Sequence, residues 1–529
     1  MKTDRRLLLI LIALAVGLFF FKLGSFSLYN AAETTYGEFI KQIHLTGDWI
    51  TLHYNGAIIF DKPPLYYWLA NACTYILGFN EWAIRLPAAI FGILTVVMSF
   101  LLGKEFYNKK VGFLSAIIVM TAFQFLIQSR IAEIDVLLVF FMTAAIYCFW
   151  KGKYLPMYLW MALGTLVKGI IAFAIPGFAI LLFLLFTKEL KKIKELKIIP
   201  GVLIILAIGG PWYAAEWILH GAKFTEFVLG FLFLSRFQGV VSGHPGPWYY
   251  YFLALLLGFF PWSHFIPYAL TRTWKNRLEK PALLMLCFCI PTFIVFSIAK
   301  TKLPNYVLPL YPFLAIMVGK LWADFLEQRN LRLNVSVPFS GNRPDESGPV
   351  SRKAMLISNL CLAVVVVLVF IAAVIAGSQY TGPYQTMLPH LILLGIVVAG
   401  GSLISIVLFL LKHYSASFYT LPVMVFVITF ILATQTLPAI ENFKGEKELG
   451  AKVAAVIKSN EQIAAYNVGN RPGIVFYNAK PVIYLENEKT LANFLKNKKG
   501  YCFTTVEEVK RLKSRVRFLQ EKSDLVVLY

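Results

Sequence analysis

Asp61 and Lys62 stand side by side in Phe60-Asp61-Lys62-Pro63-Pro64-Leu65-Tyr66-Tyr67-Trp68, an acid and a base followed at once by two prolines and an aromatic cluster. Adjacent prolines fix φ and push the residue before them toward extended backbone, so the pair is predicted to sit on a rigid turn. The surrounding stretch, Leu28 to Leu69, also carries Glu33, Glu38 and Asp48 between two long apolar runs. Further ionisable groups lie where they are expensive. Arg130, Glu133 and Asp135 share Ser129-Arg130-Ile131-Ala132-Glu133-Ile134-Asp135, and Lys168 follows Leu166-Val167. Arg236 and His244 precede Pro247-Trp248-Tyr249-Tyr250-Tyr251, and Lys300, Lys302 and Tyr306 lie within Ser297 to Pro309. A charge at membrane depth costs roughly 2.5 to 3.5 kcal/mol on insertion scales, so each marks a site or a satisfied pair. Lysine and arginine gathered at a membrane interface suit a lipid-borne phosphate or diphosphate, arginine as a fork and lysine as a point charge. Carboxylates at the same level can hold a divalent metal or orient a hydroxyl. The chemistry these parts predict draws on an activated lipid headgroup outside the cytoplasm.

Composition sets the class. With 58% hydrophobic, 16% aromatic and only 15% charged residues, the chain has more apolar surface than a water-soluble core can hide, which predicts a polytopic membrane protein. Leu7 to Phe26 resembles a signal peptide, but it is long for one and lacks a small-residue cleavage site, so it reads as a retained span. The net charge of +22 could suggest nucleic acid, yet the basic residues fall largely in short loops between spans. The six cysteines show no metal or disulfide spacing.

Apolar runs of span length occur near 7–26, 84–103, 112–128, 134–150, 154–167, 169–186, 198–216, 248–268, 282–299, 304–326, 354–377, 388–411 and 416–435, thirteen in all. Lysines and arginines cluster after every even-numbered run through the tenth, which predicts a cytoplasmic N-terminus and places the 27–83 and 217–247 segments and the C-terminal tail outside. Ala31 to Leu45 and Leu65 to Leu77 have helical patterning but are too short to span, and read as interfacial helices on the outer leaflet. Residues 327–353 read as a flexible cytoplasmic connection whose sequon, Asn334-Val335-Ser336, faces the wrong side for glycosylation. From about residue 441 short strands alternate with helices, predicting a small soluble α/β domain that packs against or positions something else. The predicted organisation is a membrane catalytic domain over 1–440 and a soluble domain over 441–529.

Taken together, Asn30-Ala31-Ala32-Glu33, Thr46-Gly47-Asp48-Trp49-Ile50-Thr51, Phe60 to Leu65, Glu81-Trp82-Ala83-Ile84-Arg85-Leu86-Pro87, Arg130 with Asp135, Leu166 to Gly169, Phe260-Pro261-Trp262-Ser263 and Lys302-Leu303-Pro304-Asn305-Tyr306 resemble the bacterial aminoarabinose transferase and protein O-mannosyltransferase-like family of GT-C glycosyltransferases. The resemblance runs over about residues 20–320. It implies an inverting transferase that takes a sugar from a polyprenyl-phosphate donor, about thirteen transmembrane helices, two interfacial helices and a C-terminal domain outside, in a bacterial inner membrane. Position by position it implies that Asp61 contacts a metal, that Lys62 meets the donor phosphate, that Asp135 is a second essential carboxylate, and that Lys168, Arg236 and Tyr306 hold the lipid phosphate, with Lys302 beside them. One position departs from the family pattern. Its acidic pair in the first external loop is Ala32-Glu33 here, leaving Glu33 alone.

That departure bears on the acceptor, because a hydroxyl needs a positioned base to remove its proton and an ionised phosphate does not. Either Glu33 serves as the base or the acceptor arrives charged; a lipid or glycolipid acceptor of lipid A type is expected first, protein Ser/Thr second. A transporter is the rival from another class, since intramembrane charges also mark transport paths, but no internal repeat is present. An inactive relative acting as a scaffold is a third reading. The transferase reading expects Glu33, Asp61, Lys62, Asp135 and Lys168 to serve one outward-opening cavity.

Overall fold

The computed structural model describes residues 2–29, 31–228, 245–333, 348–379, 383–497, 500–512, 518–522 and 524–529. The chain divides into two compact units: Met1–Phe21, Ala88–Arg130 and Ile134–Ile431 form one, and Lys22–Pro87, Ile131–Glu133 and Leu432–Tyr529 form the other.

The first unit is helical, as apolar runs must be where no water is present to satisfy the backbone. Among the described residues seven helices are long and apolar enough to cross a membrane: Glu81–Phe106, Ile198–His220, Lys280–Ile298, Pro304–Arg329, Arg352–Ala372, Gln385–Leu410 and Tyr414–Glu441. Asp135–Trp150 and Ile171–Phe186 are shorter apolar helices. With Lys2–Phe20 and Tyr154–Lys168, every one of the thirteen apolar runs falls on helical structure, and the chain is a polytopic helical membrane protein.

Two of the runs are broken where continuous helices were expected. The 112–128 run splits into Lys109–Thr121 and Phe123–Gln128, with Ala122 in extended backbone. The 248–268 run splits into Tyr250–Gly258 and Ile266–Lys275 around Pro261, which has no N–H to continue the ladder. The breaks satisfy one another. Phe123 N–H donates to the Phe260 carbonyl at 2.9 Å, and Trp262 Nε1–H donates to Thr121 Oγ1 at 2.9 Å. Non-helical backbone at membrane depth is tolerated where protein supplies the partners, as here.

Close helix approach fixes the same region. A Cβ built on Gly112 would lie 2.4 Å from the Phe100 carbonyl oxygen and 2.9 Å from Lys104 N, both backbone atoms of the Glu81–Phe106 helix. Only a residue without a side chain lets those backbones meet.

In the second unit the segment before the turn at Asp61 forms helix Ala31–Thr46 and a two-residue hairpin, β1 (His53–Tyr54) and β2 (Ala57–Ile58); helix Leu65–Leu77 follows. The C-terminal part is α/β, with strands β3 (Gln462–Tyr466), β4 (Val482–Leu485), β5 (Gly500–Thr505), β6 (Phe518–Lys522) and β7 (Leu525–Leu528) in the order β4-β3-β5-β7-β6. The first three are parallel and the last two antiparallel. Leu449, Val453, Ile463, Ile474 and Phe503 fill one face, and Leu491, Phe494 and Cys502 the other. The grouping differs from the compositional boundary near residue 441, because Lys22–Pro87 joins the C-terminal part by specific bonds. Lys41 Nζ donates to the carbonyls of Val475, Phe476 and Asn478 at 2.8 to 3.1 Å, and Leu28 N–H donates to the Tyr477 hydroxyl at 2.7 Å.

Replacing Gly112 with Ala should lower stability by about 1–3 kcal/mol through overpacking. Gly210→Ala, where a Cβ meets nothing within 4 Å, should not. Thermal unfolding of the detergent-solubilised protein checks both.

Candidate functional site

Asp135 opens helix Asp135–Trp150 and Lys168 closes helix Tyr154–Lys168, placing an acid at a helix N-terminus and a base at a helix C-terminus, each where the helix dipole favours it. Gly169, at φ 69°, then turns the chain sharply away. The Lys168 ammonium donates to one Asp135 carboxylate oxygen and the Asn305 amide donates to the other. The Tyr306 ring lies 4.9 Å from Lys168 Nζ, within range of a cation–π contact. Asp135, Lys168 and Tyr306 are therefore neighbours, as read from the sequence. Asn305 was not singled out, although it precedes Tyr306 directly.

Lys168 and Tyr306 stand on the wall of a cavity of about 660 Å³ whose other walls are almost wholly apolar, among them Ile170, Phe178, Pro291, Val295 and Phe296. Lys168 side-chain exposure is 11%, and its partner is Asp135.

Lys302 is a correction. Its ammonium donates to the carbonyls of Phe296, Ser297 and Ala299 at 3.2, 2.5 and 2.7 Å, and the residue is 4% exposed. All three protons are committed to the end of helix Lys280–Ile298, so Lys302 caps a helix and has none left for a phosphate. Arg130 likewise donates to the Leu18 and Phe21 carbonyls at the end of the first helix. Arg236 and His244 lie outside the described residues, as do Asn30 and Asn334-Val335-Ser336.

Glu33 is the second correction. It is fully buried, with Arg85 Nε donating to Oε1 at 2.7 Å and Arg85 Nη2 to Oε2 at 3.0 Å. The Tyr29 and Ala132 N–H groups fill further acceptor positions. Arg85, also fully buried, spends its remaining donors on the carbonyls of Leu23, Phe26 and Ser27. Burial alone would raise the Glu33 pKa, but the Arg85 charge and these hydrogen bonds outweigh it and hold the carboxyl below its ordinary value. A carboxylate this well held is a poor proton acceptor. The signal for it was Arg85 itself, an arginine inside the apolar Trp82-Ala83-Ile84-Arg85-Leu86-Pro87 run.

In the same unit Lys62 Nζ donates to Asp61 Oδ1 at 2.8 Å, with side-chain exposures of 14% and 29%. Both groups remain reachable from solvent.

Residues 61–214 match the family model described as dolichyl-phosphate-mannose-protein mannosyltransferase, a range that contains Asp61, Lys62, Asp135 and Lys168. The undecaprenyl phosphate-alpha-4-amino-4-deoxy-L-arabinose arabinosyl transferase 2 of Proteus mirabilis is 31% identical over 347 residues, 61% of this chain and 62% of that protein. Among solved structures, ArnT from Cupriavidus metallidurans bound to undecaprenyl phosphate aligns with a TM-score of 0.79 at 17% identity, over 98% of this chain and 97% of that one. The chain is similar in sequence to these transferases over part of its length, and similar in fold to ArnT. It spans 55–62% of the length of the first arabinosyl transferases it matches.

The oligosaccharyltransferase of Archaeoglobus fulgidus, solved in complex with Zn and sulfate, aligns with a TM-score of 0.51 at 13% identity, over 95% of this chain and 68% of that one. Here, among the described residues, no group of three or more His, Cys, Asp or Glu gathers, and Asp61 faces its own neighbour Lys62. Among the described residues, that donor set does not make a metal site.

Breaking the Glu33–Arg85 pair with Glu33→Gln should cost about 3–5 kcal/mol of stability. Because the folded pKa of Glu33 lies below its ordinary 4.5, the pair contributes fully above about pH 4.5 and is lost as pH falls through the folded value. Acid unfolding should show that loss in the wild type and not in the variant. Lys302→Met should lower the melting temperature while the donor KM stays within about twofold, as expected when only a helix cap is removed.

Proposed function

We propose that this chain is a polyprenyl-phosphate-dependent glycosyltransferase that passes a sugar to a lipid or glycolipid acceptor at the outer face of a bacterial inner membrane, with the N-terminus cytoplasmic and the C-terminal part outside. The observation that carries this reading is the Lys168–Tyr306 end of the apolar groove, where a phosphate would meet a cation and its isoprenoid tail would meet Ile170, Phe178 and Pro291. Undecaprenyl phosphate is named with the Cupriavidus metallidurans structure, and an undecaprenyl-phosphate-linked sugar with the Proteus mirabilis enzyme.

In this reading the acceptor oxygen attacks the anomeric carbon from the face opposite the phosphate, the bond from that carbon to the phosphate oxygen breaks, and configuration inverts. The polyprenyl phosphate leaves as an anion. Lys62 and Lys168 stabilise the charge that develops on it, and Arg236 is assigned the same part. Asp61 and Asp135 orient the cations and the sugar hydroxyls. The engagement of Glu33 by Arg85 supports the acceptor that needs no base: an oxygen of a lipid phosphate, already ionised, over a serine or threonine hydroxyl.

Lys62→Ala and Lys168→Ala should each lower kcat/KM by about 10²–10³-fold in transfer from a labelled polyprenyl-phospho-sugar, the loss expected for one stabiliser of transition-state charge. Full activity in either variant would contradict the assignment. With the wild type, a phosphorylated glycolipid should be labelled and its dephosphorylated form should not.

A further inference from the structure

We infer that the C-terminal sheet positions the Asp61–Lys62 turn, and that Asn55 is the residue through which it does so; this rests on the reading that Asp61 and Lys62 act in transfer. The hairpin leading into the turn is minimal. Its ladder pairs only His53 with Ile58 and Tyr54 with Ala57, and an isolated two-stranded ribbon of that length has little stability of its own. Asn55 and Gly56 form its tip at φ 52° and 81°, the left-handed pair that tight hairpins require.

That tip is fastened to the edge of the C-terminal sheet. Asn55 Nδ2 donates to the Val482 carbonyl at 2.8 Å, and Val482 N–H donates back to Asn55 Oδ1 at 2.6 Å. The side-chain amide thus imitates one more strand residue on edge strand β4, using the N–H and C=O that an edge leaves open. Tyr54, next to the tip, packs against the core of the same sheet, and Ile59 N–H donates to the Leu52 carbonyl at 2.9 Å to close the base of the hairpin. Only Phe60 separates Ile59 from Asp61, and the proline pair and helix Leu65–Leu77 fix the far side. The turn therefore has two supports. One is built into its own sequence, and the other is lent by a strand more than four hundred residues away. Holding this hairpin gives the C-terminal part a task in the reaction.

Asn55→Gly tests this cleanly, because glycine keeps the left-handed tip while removing both side-chain bonds. In the full-length protein, kcat for transfer should fall about tenfold, as a misplacement of reacting groups by a fraction of an ångström does. The binding of polyprenyl phosphate should not change, and the melting temperature should fall by no more than a few degrees. Asn55→Asp, which can still accept from Val482 N–H but cannot donate to its carbonyl, should fall between. Activity within twofold of wild type in Asn55→Gly overturns the inference, as does a loss that vanishes once activity is normalised to folded protein. Lys62→Ala, run alongside, separates the two readings: if it too is fully active, the transfer role of the turn fails; if it is inactive while Asn55→Gly is normal, only the positioning role fails.

Discussion

A lysine at the rim of an apolar groove within a membrane protein needs a partner for its charge, and Asp135 is that partner for Lys168. Much of the first unit follows from making that pair. Two helices must end and begin at the same level, which Gly169 and the break before Asp135 allow, and Asn305 must hold the second carboxylate oxygen so that the acid does not swing with its partner. The pair is also a competition. An anion arriving at Lys168 offers it a second partner, and whatever it draws from Asp135 leaves that carboxylate with the Asn305 amide still in place.

The second unit solves a different problem, that of giving a short acid-base turn a fixed location. The Glu33–Arg85 pair gathers the carbonyls of Leu23, Phe26 and Ser27 and the N–H groups of Tyr29 and Ala132 around one buried ion pair, and so organises the chain on both sides of helix Ala31–Thr46. That is a structural role for Glu33. A residue needed to hold the fold cannot easily also shuttle a proton.

Helices and their approximate limits were legible in the sequence because apolar runs admit only one backbone solution in lipid. Leu65 to Leu77 was read to the residue, and Ala31 to Leu45 to within one. What composition could not show was pairing across long separations. The breaks at Ala122 and Pro261 complement each other over more than a hundred residues, and Asn55 finds Val482 across the whole membrane region. For the same reason Lys302 read as a free cation, when three carbonyls a few residues upstream take its protons. Asp135 and Lys168 stood out as charges in an apolar setting, and Tyr306 through the family resemblance; Asn305 stands in the same motif but was given no part.

The central claim is that Lys168 heads a groove for an isoprenoid phosphate. The direct measurement is an experimental structure of the full chain with undecaprenyl phosphate. The account predicts phosphate density within hydrogen-bonding distance of Lys168 Nζ and the isoprenoid tail running along Ile170, Phe178 and Pro291. Lipid density elsewhere, with the Lys168 groove empty, would contradict it.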